Sequence, residues 1–234
     1  MKRKLWLATS LLILATIAVV SAQEKDKRLH ADGPLGWGLR PAEIKDPALP
    51  RVLLMGDSIL SGYRATVIKA LEGKANVDAW INPFCQSSHR LHEMIRTVLT
   101  NASYAVIHFN MGLHGWQKGR IPEGKFEPLT RKLVRTFREG APNAALIWAS
   151  STPVTVKGGP TKLDPEINAT IVEHNRMAAA VMKEENVPVN DLYILMVSRL
   201  DLARGDQFHW KGEGSALQGK AVAEIVAKHL AAKK

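Results

Sequence analysis

The sequence predicts one α/β domain, a parallel sheet with helices on both faces. Three observations predict it. Short apolar runs alternate with longer segments of helical spacing from Arg51 to the C-terminus. The runs read as fully buried strands, as in a sheet covered on both sides. No internal repeat, low-complexity tract or dividing linker interrupts the pattern, and 234 residues suit a single domain with a sizeable core.

The elements follow in order. Arg51–Met55 is the first strand and Ile59–Leu71 the first helix. Ala75–Ile81 is the second strand. Ser87–Leu99 is helical, because Leu91, Met94, Ile95 and Val98 fall on one side. Tyr104–Phe109 is the third strand. Phe126–Glu139 is a helix bounded by Gly140 and Pro142. Ala144–Ala149 is the fourth strand, after which Ser150-Ser151-Thr152-Pro153 turns the chain. Ile167–Glu185 is helical, Val187–Val189 is a short fifth strand, Leu192–Arg199 is a short helix, and Ser215–Ala232 is the closing helix.

The N-terminus reads as a secretory signal. Lys2, Arg3 and Lys4 precede the apolar run Leu5 to Val20, and Val20-Ser21-Ala22 offers small residues for cleavage before Gln23. The run is shorter than the roughly 20 residues of a spanning helix. The expectation is a signal peptide over 1–22, no stable membrane insertion after cleavage, and a secreted or periplasmic protein. Residues 23–50, rich in Gly and Pro, read as an irregular lead-in packed by Trp37 onto the domain 51–234. Export permits disulfides, yet Cys85 is the only cysteine, so it reads as a packed apolar residue.

The chain has 32 Lys and Arg against 22 Asp and Glu; removal of 1–22 leaves a net charge of +7. The charges are scattered, with no basic block interleaved with aromatics, so no nucleic-acid partner is expected.

Two motifs carry the chemistry. Gly56-Asp57-Ser58 follows the first strand, and Asp206-Gln207-Phe208-His209 lies just before the last helix. A serine hydroxyl is a poor nucleophile at neutral pH; it needs a base, and the base needs a carboxylate to fix its tautomer. Ser58, His209 and Asp206 supply that set. Ser58 also opens a helix, where its own N–H can stabilise an oxyanion. The competing reading is that Asp57 and Ser58 are helix caps and His209 is an incidental loop residue. Against it, Ser58, Cys85 to Ser88, Asn110 to His114, Ser150 to Pro153, and Asp206 with His209 all follow predicted strands or precede the last helix. They converge on the sheet edge where ligands bind.

With Asp206-x-x-His209 at the far end, Gly56-Asp57-Ser58-Ile59-Leu60 resembles the SGNH (GDSL-type) hydrolase superfamily, over about residues 50–232. Ile107–His114, Ile147–Val154, His174-Asn175 and Val187–Tyr193 resemble an exported bacterial subgroup of it. The resemblance implies a flavodoxin-like α/β/α sandwich with a five-stranded parallel sheet, and ester hydrolysis with no cofactor and no metal. The Gly-x-Ser-x-Gly elbow of the other large esterase fold is absent around Ser58.

This chain departs from the family pattern twice. The family has a glycine after the second strand whose N–H joins the oxyanion hole; here Asn82 to Ser88 contains none. The family's Gly-x-Asn-Asp block reads Gly112-Leu113-His114-Gly115, with His114 in place of Asn. Asn110 lies just before it. The expected oxyanion hole is therefore Ser58, Asn110 and His114.

The remaining histidines and tryptophans invite other readings. His89 with His92, or His108 with His114, would need further convergent ligands to hold zinc, and no His-Glu-x-x-His motif is present. His108, on an apolar strand, reads as a hydrogen-bonded core residue. Trp80, Trp116 and Trp210 fall near predicted loop ends, where they stack on sugar rings or, more commonly, form core or pocket wall.

The expectation is an exported serine esterase acting on a small-molecule or glycan ester, with short-acyl (acetyl) esters of carbohydrates as substrates. Its rivals are a weakened member acting as a glycan- or partner-binding module, and a lipase, thioesterase or acyltransferase of the same fold.

Overall fold

The computed structural model describes residues 38–232. The expected signal segment 1–22, and Trp37 with it, lie outside the described residues. In chain order the elements are β1 (Gly38–Arg40), β2 (Arg51–Gly56), α1 (Ser58–Ala70), β3 (Asn76–Ile81), α2 (Leu91–Leu99), β4 (Tyr104–Phe109) and α3 (Phe126–Gly140). There follow β5 (Ala145–Ala149), β6 (Thr155–Val156), β7 (Gly159–Leu163), α4 (Ile167–Glu184), β8 (Val189–Asn190), α5 (Leu192–Val197) and α6 (Gly212–Ala231).

The main sheet runs β1-β3-β2-β4-β5-β8. Its five parallel strands, counted along the chain, lie in the order 2-1-3-4-5 of flavodoxin-like folds. The strand order reverses between β2 and β4, and a crevice opens there at the carboxyl ends. The sheet has one strand more than expected. Within the lead-in read as irregular, β1 pairs antiparallel with β3 from Gly38↔Ile81 to Arg40↔Ala79. Three residues are too few to carry a periodic signal, and Gly38 has φ 113°.

Alternation along the strands divides the core. Val52, Leu54, Val106, Ile147 and Ala149 meet Leu60, Tyr63 and Val67 of α1 and Val222 and Val226 of α6. Leu53, Met55, Ile107, Phe109 and Trp148 meet Leu91 and Ile95 of α2, Leu133 and Phe137 of α3, and Val181 of α4. Each such apolar side chain contributes roughly 1.5–3 kcal/mol by leaving water. Both faces are covered, so the strands are apolar throughout.

Helix bounds follow local chemistry. In α3, Phe126, Thr130, Leu133, Val134 and Phe137 recur on one face, and Pro142 prevents continuation. The helix expected from Ser87 starts only at Leu91. The Ser88 hydroxyl accepts the Cys85 N–H at 3.1 Å and holds residues before Leu91 in turns. Helices α1 and α6 approach closely at Gly219, where a Cβ would lie 2.6 Å from Thr66 Cβ. Near the amino ends of the strands, the fully buried Asp78 accepts from Arg51 (2.6 Å), Tyr104 (2.7 Å) and the Ala42 N–H (2.6 Å).

Candidate active site

Strand β2 ends at Gly56, and α1 begins two residues later. Asp57 caps the helix by accepting the Ile59 N–H at 2.8 Å. Ser58 is therefore the first helical residue, half-buried, and its N–H has no acceptor within the helix. The same turn thus exposes a hydroxyl and a backbone donor at the strand-order reversal.

The second motif is a compact loop between the antiparallel bridge partners Ala203 and Trp210. The Arg204 N–H donates to the His209 carbonyl at 2.9 Å. Gly205 and Gln207 both have positive φ, 91° and 83°. That curl turns the Asp206 carboxylate back on its own loop. Oδ1 accepts the N–H groups of Phe208 (3.3 Å) and His209 (2.9 Å). Oδ2 lies 3.0 Å from His209 Nδ1. His209 Nε2 then lies 2.9 Å from Ser58 Oγ, across 151 residues of sequence. One tautomer satisfies both contacts when Ser58 donates: Nδ1 carries the proton and Nε2 accepts.

Asp206 is held below the ordinary carboxylate range. Burial works against its ionisation, and the His209 N–H, the His209 ring and the Phe208 N–H outweigh that. Its side chain is 42% exposed, so water and salt screen its charge more than they would a buried carboxylate's.

A hairpin between β5 and α4, whose strands carry no apolar alternation, supports this segment. Strands β6 and β7 pair antiparallel, with Gly158 at φ 77° between them. The Thr155 N–H donates to the Gln207 carbonyl and the Gly158 N–H to the Gly205 carbonyl, each at 2.9 Å. The signal that could have found it is Gly158-Gly159 after Thr155-Val156.

Asn110 leaves β4 at the crevice. Its amide donates one hydrogen to the Ala149 carbonyl at 2.7 Å, and the group has a second. His114 lies on a 3₁₀ turn, Leu113–Gly115, with Nε2 3.9 Å from Asp57 Oδ2. The segment 82–88 offers little to an oxyanion: the Phe84 N–H goes to Asn82 Oδ1 (3.1 Å), and the Cys85 N–H goes to Ser88. Cys85 is buried, as expected of a packed thiol. Gln86 instead ties this loop to the next, donating to the Met111 carbonyl at 2.7 Å.

Other polar side chains, most of them within the stretches that resemble the exported subgroup, hold the floor. Asn175 exchanges two hydrogen bonds with the Ser151 backbone, each 2.9 Å. Asn168 accepts the Val154 N–H at 3.1 Å and donates to the Tyr193 hydroxyl at 3.0 Å. Ser150 donates to Asp191 at 2.7 Å. These bonds fix the backbone after β5 where it meets Asn110.

Of the three tryptophans, Trp80 and Trp210 are core, 0% and 6% exposed. Trp116 is half-buried and faces Phe208, with ring centroids 6.3 Å apart. With Leu113, Ile167 and Tyr193 they form an apolar wall beside the Asp206–His209 loop. His89 is exposed, whereas His92 is buried against Thr136 at 2.8 Å. His108 is a core residue whose Nε2 accepts from Asn190 at 3.1 Å. Among the described residues no three His, Cys, Asp or Glu side chains group as metal ligands, and no helix is long and apolar enough to cross a membrane.

No protein-family model and no curated protein sequence matches the chain. Solved structures do. A carbohydrate acetylesterase family member from Sinorhizobium meliloti is 18% identical with a TM-score of 0.62, covering 78% of this chain and 100% of its own. A lipase/acylhydrolase from Enterococcus faecalis is 18% identical at 0.62, covering 77% and 96%. The M. smegmatis aryl esterase is 14% identical at 0.64, covering 76% and 99%. At these identities the likeness is one of architecture, and it agrees with the strand order and the strand-end crevice: the chain has the SGNH-hydrolase fold.

Proposed function

We propose that this chain is an exported serine esterase that hydrolyses short-acyl esters, acetyl esters of carbohydrates foremost. The observation that carries the reading is the continuous row from Ser58 Oγ through the His209 ring to Asp206, with contacts of 2.9 and 3.0 Å. Ser58 attacks the ester carbonyl while His209 takes its proton. Asp206 keeps the ring in the accepting tautomer and stabilises the imidazolium. The tetrahedral oxyanion is met by the Ser58 N–H, the second amide hydrogen of Asn110, and His114. Collapse expels the alcohol with the proton from His209. Water, activated by the same ring, then releases the acid.

Two observations support the substrate class. Carbohydrate acetylesterase and acetyl xylan esterase structures share the fold. Trp116 and Phe208 offer an aromatic surface to an apolar sugar face. Export rests on the N-terminal segment 1–22.

A second reading, a glycan- or partner-binding module, is favoured by one observation: the segment 82–88 has no glycine, and its Phe84 and Cys85 N–H groups are committed within the loop. Intact-mass measurement with a fluorophosphonate probe decides between them. One adduct on the parent, absent from Ser58→Ala and His209→Ala, supports the esterase. A folded parent that takes no adduct supports the binding module. Screening acetylated sugars and longer-acyl esters then tests the substrate.

A further inference from the structure

We infer that a small cavity behind the turn that carries Ser58 is a binding site for one structural water, held by the hydroxyls of Tyr63 and Thr152 and the carboxylate of Asp57. The inference stands apart from the esterase reading.

The cavity lies under the amino end of α1. Gly56, Asp57 and Tyr63, from the β2–α1 segment, line it together with Asn110 after β4 and Thr152 after β5. The space open to a water-sized molecule is about 10 Å³, enough for one and not for two.

Its polar walls are short of partners. Tyr63 is 1% exposed and Thr152 3%. Neither side-chain hydroxyl has a hydrogen-bond partner among the described residues. A buried hydroxyl left so is costly, and protein interiors answer it with a protein group or an ordered water. The neighbouring protein groups are committed elsewhere. The Ser150 hydroxyl donates to Asp191 and accepts the Tyr193 N–H. The Gly56 carbonyl accepts the Asn82 N–H at 2.8 Å and the Asn82 side-chain amide at 3.3 Å. Burial first, and then the Asp57 carboxylate, push the Tyr63 hydroxyl above its usual range. Tyr63 thus stays a protonated O–H in the field of Asp57 and needs an acceptor.

An apolar cavity of this size stays dry, whereas three polar groups suffice to hold a water. The water accepts from Tyr63, donates to Asp57 and makes its remaining bond with Thr152. It joins the helix that begins at Ser58 to the segment after β5, across the crevice.

A crystal structure and paired thermal melts test this. The parent should show one ordered water within hydrogen-bond distance of both Tyr63 Oη and Thr152 Oγ1. Tyr63→Phe and Thr152→Val each delete one hydroxyl and keep the shape. Each should lower the melting temperature by about 2–4 °C, the shift for one lost hydrogen bond in a domain of this size. The double variant should lose less than the sum, because both hydroxyls act through the same water. A parent with a dry cavity overturns the inference. So does a Tyr63→Phe variant more stable than the parent, the outcome for a hydroxyl buried without a partner. Strictly additive losses give each hydroxyl a partner of its own and overturn it as well.

Discussion

Thr155 donates its backbone N–H to the carbonyl of Gln207 at 2.9 Å, tying a hairpin to the residue between Asp206 and Phe208. The Asp206–His209 loop is therefore not self-supporting. Gln207 has φ 83°, a conformation that costs a non-glycine residue about 1–3 kcal/mol. The hairpin offsets that cost and keeps Asp206 turned toward His209.

Gly205 tests this relationship. Its φ of 91° suits glycine, and its carbonyl receives the Gly158 N–H. A Cβ there would meet Pro160 at an ordinary 3.8 Å, so Gly205→Ala strains the backbone without a clash. We expect a kcat loss of about 10-fold or more, because small misplacements of catalytic groups are costly. The melting temperature should fall only slightly. Steady-state kinetics beside a thermal melt checks it; equal kcat would mean that the loop holds its geometry without the turn.

Ser58 and His209 also depend on the approach of α1 to α6. Ser58 begins α1, and α6 starts three residues after His209. At Gly219 a Cβ would lie 2.6 Å from Thr66 Cβ and 3.0 Å from the Tyr63 carbonyl. Gly219→Ala gains about 1 kcal/mol of helix propensity but forces the helices apart, at about 1–3 kcal/mol. We expect a net loss of stability and a kcat loss larger than the unfolded fraction accounts for. Urea titration and turnover on the same sample check this.

The strand–helix alternation and the two polar motifs, Gly56-Asp57-Ser58 and Asp206-Gln207-Phe208-His209, were legible in the sequence because each rests on short-range pattern. Val52 to Met55 is apolar throughout, and Asp206 and His209 are three residues apart. What escaped rests on contacts distant in sequence. Asn175 meets Ser151 across 24 residues and Asn168 meets Val154 across 14, both as single polar residues within helical spacing. The β6–β7 hairpin has strands of two and five residues, with Pro160 in the second and no apolar alternation.

Asp78 offers a contrast with the site. It is fully buried, and Arg51, Tyr104 and the Ala42 N–H satisfy it. Asp78→Ala leaves the Arg51 guanidinium without its buried partner, a change that costs about 3–5 kcal/mol in such pairs. The network lies toward the amino ends of the strands, away from Ser58. We expect a large drop in the urea midpoint with an unchanged kcat per folded molecule. A changed kcat at full folding would show that the two edges of the sheet are coupled.

His108 makes stability depend on pH. The ring is fully buried on β4, and burial pushes it from its ordinary 6.5 to about 3. His92 is pushed down to about 4, first by burial and then by the Lys132 and Arg96 cations, with Glu139 opposing. In the unfolded chain both rings bind a proton below about pH 6.5. Between there and the folded values, the unfolded state holds protons that the folded state does not. Stability is therefore full above about pH 6.5 and falls as the pH drops toward 3, by up to about 1.4 kcal/mol per pH unit for each ring. His108→Gln cannot take a charge, and its amide oxygen can still accept from Asn190. Urea titrations at several pH values should show a shallower acid slope in the variant than in the parent. Parallel slopes would place the acid sensitivity in other groups, His92 first among them.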